Sequence, residues 1–174
     1  MIGLNLRMTE PIAAIACAQL KKGFGLVHSR IALAEAITDI FKQVSFVEPP
    51  AKRFGEVHSY YIWAGKITGT NAINIRATFV ERLNSRGIPF KVGYTTPLHR
   101  LFEEPYGLPV VDEIEGARLF TFEICAYDPK KHHLKRMRDI ILEEAEIIER
   151  NHINGKEQVG ERSSGSAGAV SKSF

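Results

Sequence analysis

Between Arg118 and Tyr127 the residues Phe120, Phe122, Ile124 and Ala126 alternate with other side chains, and then the period changes. A period of two puts all four on one face of a strand. Asp128 and Pro129 follow, an N-cap and a first-turn proline, which is how a helix starts. Leu134, Met137, Ile141, Ala145 and Ile148 then recur at helical spacing, broadened by Ile140 and Ile147, to an end near Glu149 or Asn151. A half-buried strand feeding an amphipathic helix has to bury both apolar faces together. The pattern predicts an α+β domain: a mostly antiparallel sheet with helices on one face, a long C-terminal amphipathic helix, and a ferredoxin-like order as the candidate arrangement.

The rest of the chain supplies the other layers. Residues 11–22 read as a short helix with Pro11 in its first turn, ended by Lys21, Lys22 and Gly23, and a Gly-Phe-Gly turn follows. Residues 29–43 read as a second helix, with Ser29 as cap and Ile31, Ala34, Ile37, Ile40 and Phe41 on one face. Val44 to Val47 reads as a strand closed by Glu48-Pro49-Pro50, and residues 56–67 as a longer one rich in aromatic and β-branched side chains. After the turn at Thr68–Asn71 two readings compete. Ile73, Ile75, Ala77 and Phe79 alternate as in a hairpin strand, whereas Ile73, Ala77, Val80 and Leu83 share a helical face. The Arg86-Gly87 ending before Ile88–Val92 favours helix, then strand. Residues 96–104 read as a short capped helix and 105–116 as a loop.

Residues 1–154 are enough for one core without a covalent staple. From residue 155 to 174 large apolar side chains are scarce, which predicts a flexible tail. The two cysteines, Cys17 and Cys125, sit in apolar runs without CxxC spacing, so neither a zinc site nor a disulfide framework is encoded. That usage fits a reducing, cytoplasmic compartment. No apolar run is long enough to span a membrane. A formal charge of +3 permits an anionic partner without requiring one.

The arrangement of charge says more. Lys130, Lys131, Lys135, Arg136 and Arg138, with His133 among them, crowd the start of the last helix, and Glu143, Glu144, Glu146 and Glu149 follow. This order opposes the helix dipole, which favours acids first and bases last. A helix N-terminus ringed by cations would bind an anion. The first expectation is therefore a non-catalytic binding or assembly module that contacts phosphate groups, nucleic acid above all, through Lys130, Lys131, His133, Lys135, Arg136 and Arg138.

A second expectation is a small enzyme on an anionic substrate, with His58, His99 and Glu123 as acid–base candidates. A third is a structural subunit of a larger assembly, with the wide apolar face of the last helix as a homo-oligomer interface. Gly65-Lys-Ile-Thr-Gly69 lacks the spacing of a phosphate loop, and no HxH or HExxH spacing marks a metal site. No cofactor and no metal are expected from the motifs.

Overall fold

In a computed structural model of the protein, residues 7–101, 107–124 and 131–163 are described. The long elements are α1 (Glu10–Phe41), α2 (Ala72–Ser85) and α4 (Lys131–Ser163), with a short α3 (Pro109–Glu113). The strands are β1 (Val47–Glu48), β2 (Trp63–Ile67), β3 (Phe90–Val92) and β4 (Leu119–Phe122), in the spatial order β1-β2-β4-β3 with every neighbouring pair antiparallel. The expected mixture of helices and antiparallel sheet is present. The ferredoxin-like order is met only from β2 to α4, where a β-α-β-β-α run places β4 between β2 and β3. The strand completing the sheet beside β2 is β1, which comes before that run instead of after α4.

Aromatic side chains fill the space between sheet and helices. Trp63 of β2 and Phe120 of β4 lie against Phe41 of α1, with ring centroids 4.7 and 5.5 Å from it. Phe79 of α2 closes on Phe41 edge-on at 6.3 Å. The Trp63 indole N–H donates to the Thr38 hydroxyl at 2.9 Å, and that hydroxyl donates to the Ala34 carbonyl at 2.8 Å, so these two buried polar side chains are paired.

Several local expectations change. Helices 11–22 and 29–43 are one helix, α1. Gly23 and Gly25 do not adopt the left-handed backbone of a turn, and nothing lies within 4 Å of a Cβ on either. Each costs the helix roughly 1 kcal/mol relative to alanine, which the long flanks carry. The 72–86 segment is the helix α2: Ala72, Ile75, Phe79, Val80 and Leu83 are buried at helical spacing, and Ile73, used by both readings, is exposed.

The long strand 56–67 shrinks to Trp63–Ile67, because Tyr60 takes a left-handed φ of 48° that an extended ladder excludes. Strand 44–47 is reduced to Val47–Glu48. Among the described residues of the expected helix 96–104 there is a 3-10 turn, Leu98–Leu101, and the expected loop after it holds α3 and the start of a π turn at Ile114–Arg118. The last helix runs past its expected end to Ser163, into the segment read as a tail. Asp128, Pro129 and Cys125 lie outside the described residues.

Glu144 explains the unusual charge order of α4. Its side chain is buried, and it accepts from Arg82 Nε at 2.5 Å and from Arg86 Nη1 at 2.7 Å, while Arg86 Nη2 also reaches Glu143 at 2.9 Å. Glu143 and Glu144 therefore meet the basic C-terminal end of α2 across the helix–helix contact, while Glu146 pairs with Arg150 and Glu149 with Ser45. That pairing outweighs the few tenths of a kcal/mol that the dipole would give the opposite order.

Candidate active-site cluster

At the end of β3 the chain turns at Gly93, whose left-handed φ of 67° lets its N–H reach the Leu119 carbonyl at 2.8 Å. The Gly93 carbonyl accepts the buried Thr121 hydroxyl at 2.8 Å. A Cβ at Gly93 would come within 2.7 Å of the Glu115 carboxylate, so the glycine leaves room for that side chain to lie over the turn.

Arg100 joins the two segments on either side. Its guanidinium donates to Asp112 Oδ1 from Nε at 3.0 Å and from Nη2 at 2.7 Å, and Nη1 lies 3.4 Å from Glu115. The buried His99 places Nε2 3.1 Å from the same Asp112 oxygen. The Arg100 and His99 contacts hold the Asp112 carboxyl below its ordinary value of 3.8. Under them lies Arg76 of α2, nearly fully buried, donating to the carbonyls of Glu115 at 2.7 Å, Gly116 at 2.5 Å and Leu119 at 3.2 Å. A cation at the carbonyl end of the π turn satisfies acceptors that the turn leaves open. Burial lowers the Arg76 pKa, with Glu115 opposing it. Its Nε is buried without a partner among the described residues.

The three acid–base candidates do not converge. His99 belongs to this cluster. His58 is exposed, and its Nδ1 accepts the Tyr60 backbone N–H at 2.9 Å while its ring stacks on Tyr60. Glu123 is exposed and paired with Lys91. No hydrogen bond or ion pair joins any two of the three. Glu123 does lie close enough to act on Tyr94, whose phenol is pushed up first by burial and then by Tyr61 and Glu123.

The described part of the basic cluster stays together along α4, with Arg136 lining both of two shallow concavities. Lys130 is outside the described residues, as is the side chain of Lys131. His133 and Arg136 border a shallow concavity of about 380 Å³ with Arg86 and Ile140, and Lys135 borders a neighbouring one with Asp139 and Glu143. Arg138 is exposed and lines neither. Acids are thus interleaved with the bases.

Arg76, Arg100, Asp112 and Glu115 were missed by reasoning along the chain. Arg76 carried a usable signal, since it falls at helical spacing with Ala72, Ile75, Phe79 and Val80 on a buried face where an arginine needs several acceptors.

A lysine that acts as a nucleophile needs a desolvated pocket that lowers its pKa, and no described lysine has one. Lys21, Lys22, Lys42, Lys52, Lys91 and Lys135 are exposed, Lys66 is tied to Glu48 at 2.7 Å, and Glu35 raises Lys52. Among the described residues no group of three or more His, Cys, Asp or Glu could hold a metal ion. None of the described helices is long and apolar enough to cross a membrane.

The fold is similar to several solved aminotransferases. TlmJ from Streptoalloteichus hindustanus matches 79% of this chain and 36% of its own, with a TM-score of 0.65 and 19% identity. PseC from Helicobacter pylori, an aminotransferase of pseudoaminic acid biosynthesis, matches 84% of this chain and 40% of its own, at 0.63 and 20%. Spr1654 from Streptococcus pneumoniae, described as a candidate sugar aminotransferase and solved in a PMP and a PLP form, matches 82% and 36% in the first, at 0.64 and 17%. The chain thus spans little more than a third of the length of these structures. No curated protein matches the sequence.

A family model matches residues 1–110, well over half of the chain. This overturns the expectation of a non-catalytic module for nucleic acid. The cations that prompted it sit on a helix whose acids serve the contact with α2, and the match is to an enzyme family. The chain belongs to the DegT/DnrJ/EryC1/StrS aminotransferase family.

Proposed function

We propose that the protein works as part of a pyridoxal-phosphate-dependent aminotransferase, supplying one structural portion of the enzyme and a polar surface at the end of β3. The observation that carries this reading is the family match over residues 1–110, with similar folds covering 79–84% of the chain. Pyridoxal phosphate would supply the electron sink for moving an amino group. The described residues do not fit its lysine, so no step of the reaction is assigned to them.

What they can do is hold shape and charge. The Arg100–Asp112–His99 contacts fix the segment after Gly93 to α3, and Arg76 fixes the π turn beneath it. That keeps Tyr94 and Tyr61, with Glu123, as a presented polar edge. We assign this edge to substrate positioning, with His99 kept to holding Asp112 in place beside Arg100. A homo-oligomer remains part of the proposal, but not through the α4 seam. Met137, Ile140, Ile141, Ala145 and Ile148 are buried inside the chain.

The test is to isolate the tagged full chain gently from the cells that make it and look for copurifying cofactor. Pyridoxal phosphate that converts to its amine form when an amino donor is added supports the reading. Preparations free of cofactor and of amino transfer, under conditions where the chain is folded, reject it.

A further inference from the structure

The contacts between α2 and α4 account for Glu143 and Glu144, but not for the bases ahead of them on α4. Lys135, Arg136 and Arg138 are exposed, and among the described residues their side chains make no ion pair. Asp139 follows Lys135 by four residues and Arg136 by three, within reach on a helix, yet pairs with neither among the described residues. Lys135 and Arg138 are like charges three residues apart, which repel. Cations this early in a helix also oppose its dipole. Folding alone does not select this arrangement.

The bases border a hollow made by two helices. Arg86 and Ile88, just past the end of α2, face His133, Arg136 and Met137 of α4 around a space of about 380 Å³. No acid lines it. Arg86 is fixed there by Glu144 at 2.7 Å and Glu143 at 2.9 Å, both through its Nη atoms, with Nε outside those two bonds. Arg136 offers a whole guanidinium fork, whose planar N–H groups match the oxygens of a phosphate. Ile88 and Met137, both buried, give the hollow an apolar floor. We infer that this hollow is a binding site for a small phosphate monoester, with the phosphate on Arg136 beside Arg86 and His133 and the carbon body on Ile88 and Met137. The site is built from side chains of both helices and uses no backbone N–H of the helix start. A nucleic-acid strand does not suit it. Such a strand needs a continuous basic track, and here Asp139 and Glu143 line the adjoining concavity with Arg136. The hollow lies before β3, whereas the Gly93 turn and the Arg100–Asp112 contacts come after it. It is therefore a second site, independent of the edge assigned to the substrate.

The experiment is an NMR titration of the isotope-labelled full chain with phenyl phosphate and, separately, with inorganic phosphate. Ionic strength is held constant with sodium chloride, at about pH 7.5, where both phosphates are largely dianionic. The expected result is saturable shifts of the backbone amides at 86–88 and 133–140, with phenyl phosphate the tighter ligand because of the floor. Arg136→Gln should weaken phenyl phosphate about tenfold. Arg138→Gln, equally a change at an exposed arginine but outside the hollow, should weaken it less than about twofold. Neither side chain is ion-paired among the described residues, so both variants keep the fold. Shifts that do not saturate, or equal losses from the two variants, overturn the site and leave only a general attraction to basic surface. Equal affinity for inorganic phosphate overturns the monoester assignment. Displacement of phenyl phosphate from the same amides by a short DNA duplex, with a steep dependence on salt, overturns the assignment to a small molecule.

Discussion

Gly65 and Phe120 face each other across β2 and β4, so closely that a Cβ on Gly65 would lie 2.7 Å from the Phe120 ring. The Trp63 ring would be 2.7 Å away on the same side. Strand interiors ordinarily disfavour glycine, and here its place is explained by two aromatic rings crossing the strand. Gly65→Ala should therefore destabilise the fold by about 1–3 kcal/mol through overpacking, read as a lower midpoint in denaturant. An unchanged midpoint would mean the rings are not stacked over this strand.

Asp112 provides a pH test of the polar cluster. Its carboxyl is held below 3.8 by Arg100 and then His99, so it stabilises the folded state while ionised. That contribution is complete above the unfolded-state value and is lost as pH falls through the lower folded-state value. Asp112→Asn removes it. The melting-temperature gap between wild type and variant should be open at about pH 5 and close as the pH drops below about 4. A gap of the same size at about pH 2 would show that the ionised carboxylate is not what matters.

The contact between α2 and α4 depends on a buried acid. Replacing Arg82 and Arg86 by methionine leaves Glu144 buried without its two donors, which should cost about 3 kcal/mol. Adding Glu144→Leu to that variant should recover much of the loss, because no charge is then stranded. Urea denaturation of the three proteins makes the comparison. No recovery in the triple variant would argue against the ion-pair account.

Gly23→Ala and Gly25→Ala separate a continuous α1 from two helices joined by a turn. In a continuous helix with open space at both positions, each should raise stability or helix content, by roughly 1 kcal/mol at most. In a turn that needs left-handed glycine, each would lower it. Circular dichroism with thermal melting decides between them.

Much of the fold could be read along the chain wherever one side chain's period had one buried face to answer to. The alternation at Phe120 and Phe122 and the seam from Met137 to Ile148 are both of this kind. Periodicity failed where a short apolar run fitted two templates, as at Ile73 to Phe79, and the burial of Ala72, Ile75, Phe79, Val80 and Leu83 at helical spacing is what separates them. It also failed at Gly23 and Gly25, because glycine marks a turn or a tolerated weak point equally well. A strand at Val44–Val47 was legible, but its pairing with β2, which sets the order of the sheet, is a contact between distant residues that no local pattern signals.

The site was less legible. His99 could be picked out, but the Arg100–Asp112 and Arg82–Glu144 contacts join residues 12 and 62 apart. Without the Arg82–Glu144 contact in view, the acids of α4 looked misplaced. The aminotransferase character leaves no local trace among the described side chains, because the lysine that would announce it is not among them.

The most direct test of the account is the cofactor carried by the assembly that the full chain forms in its own cells. The account predicts pyridoxal phosphate that copurifies with the folded chain and converts to the amine form when an amino donor is added. An assembly that contains the folded chain, holds no pyridoxal phosphate and transfers no amino group would contradict it.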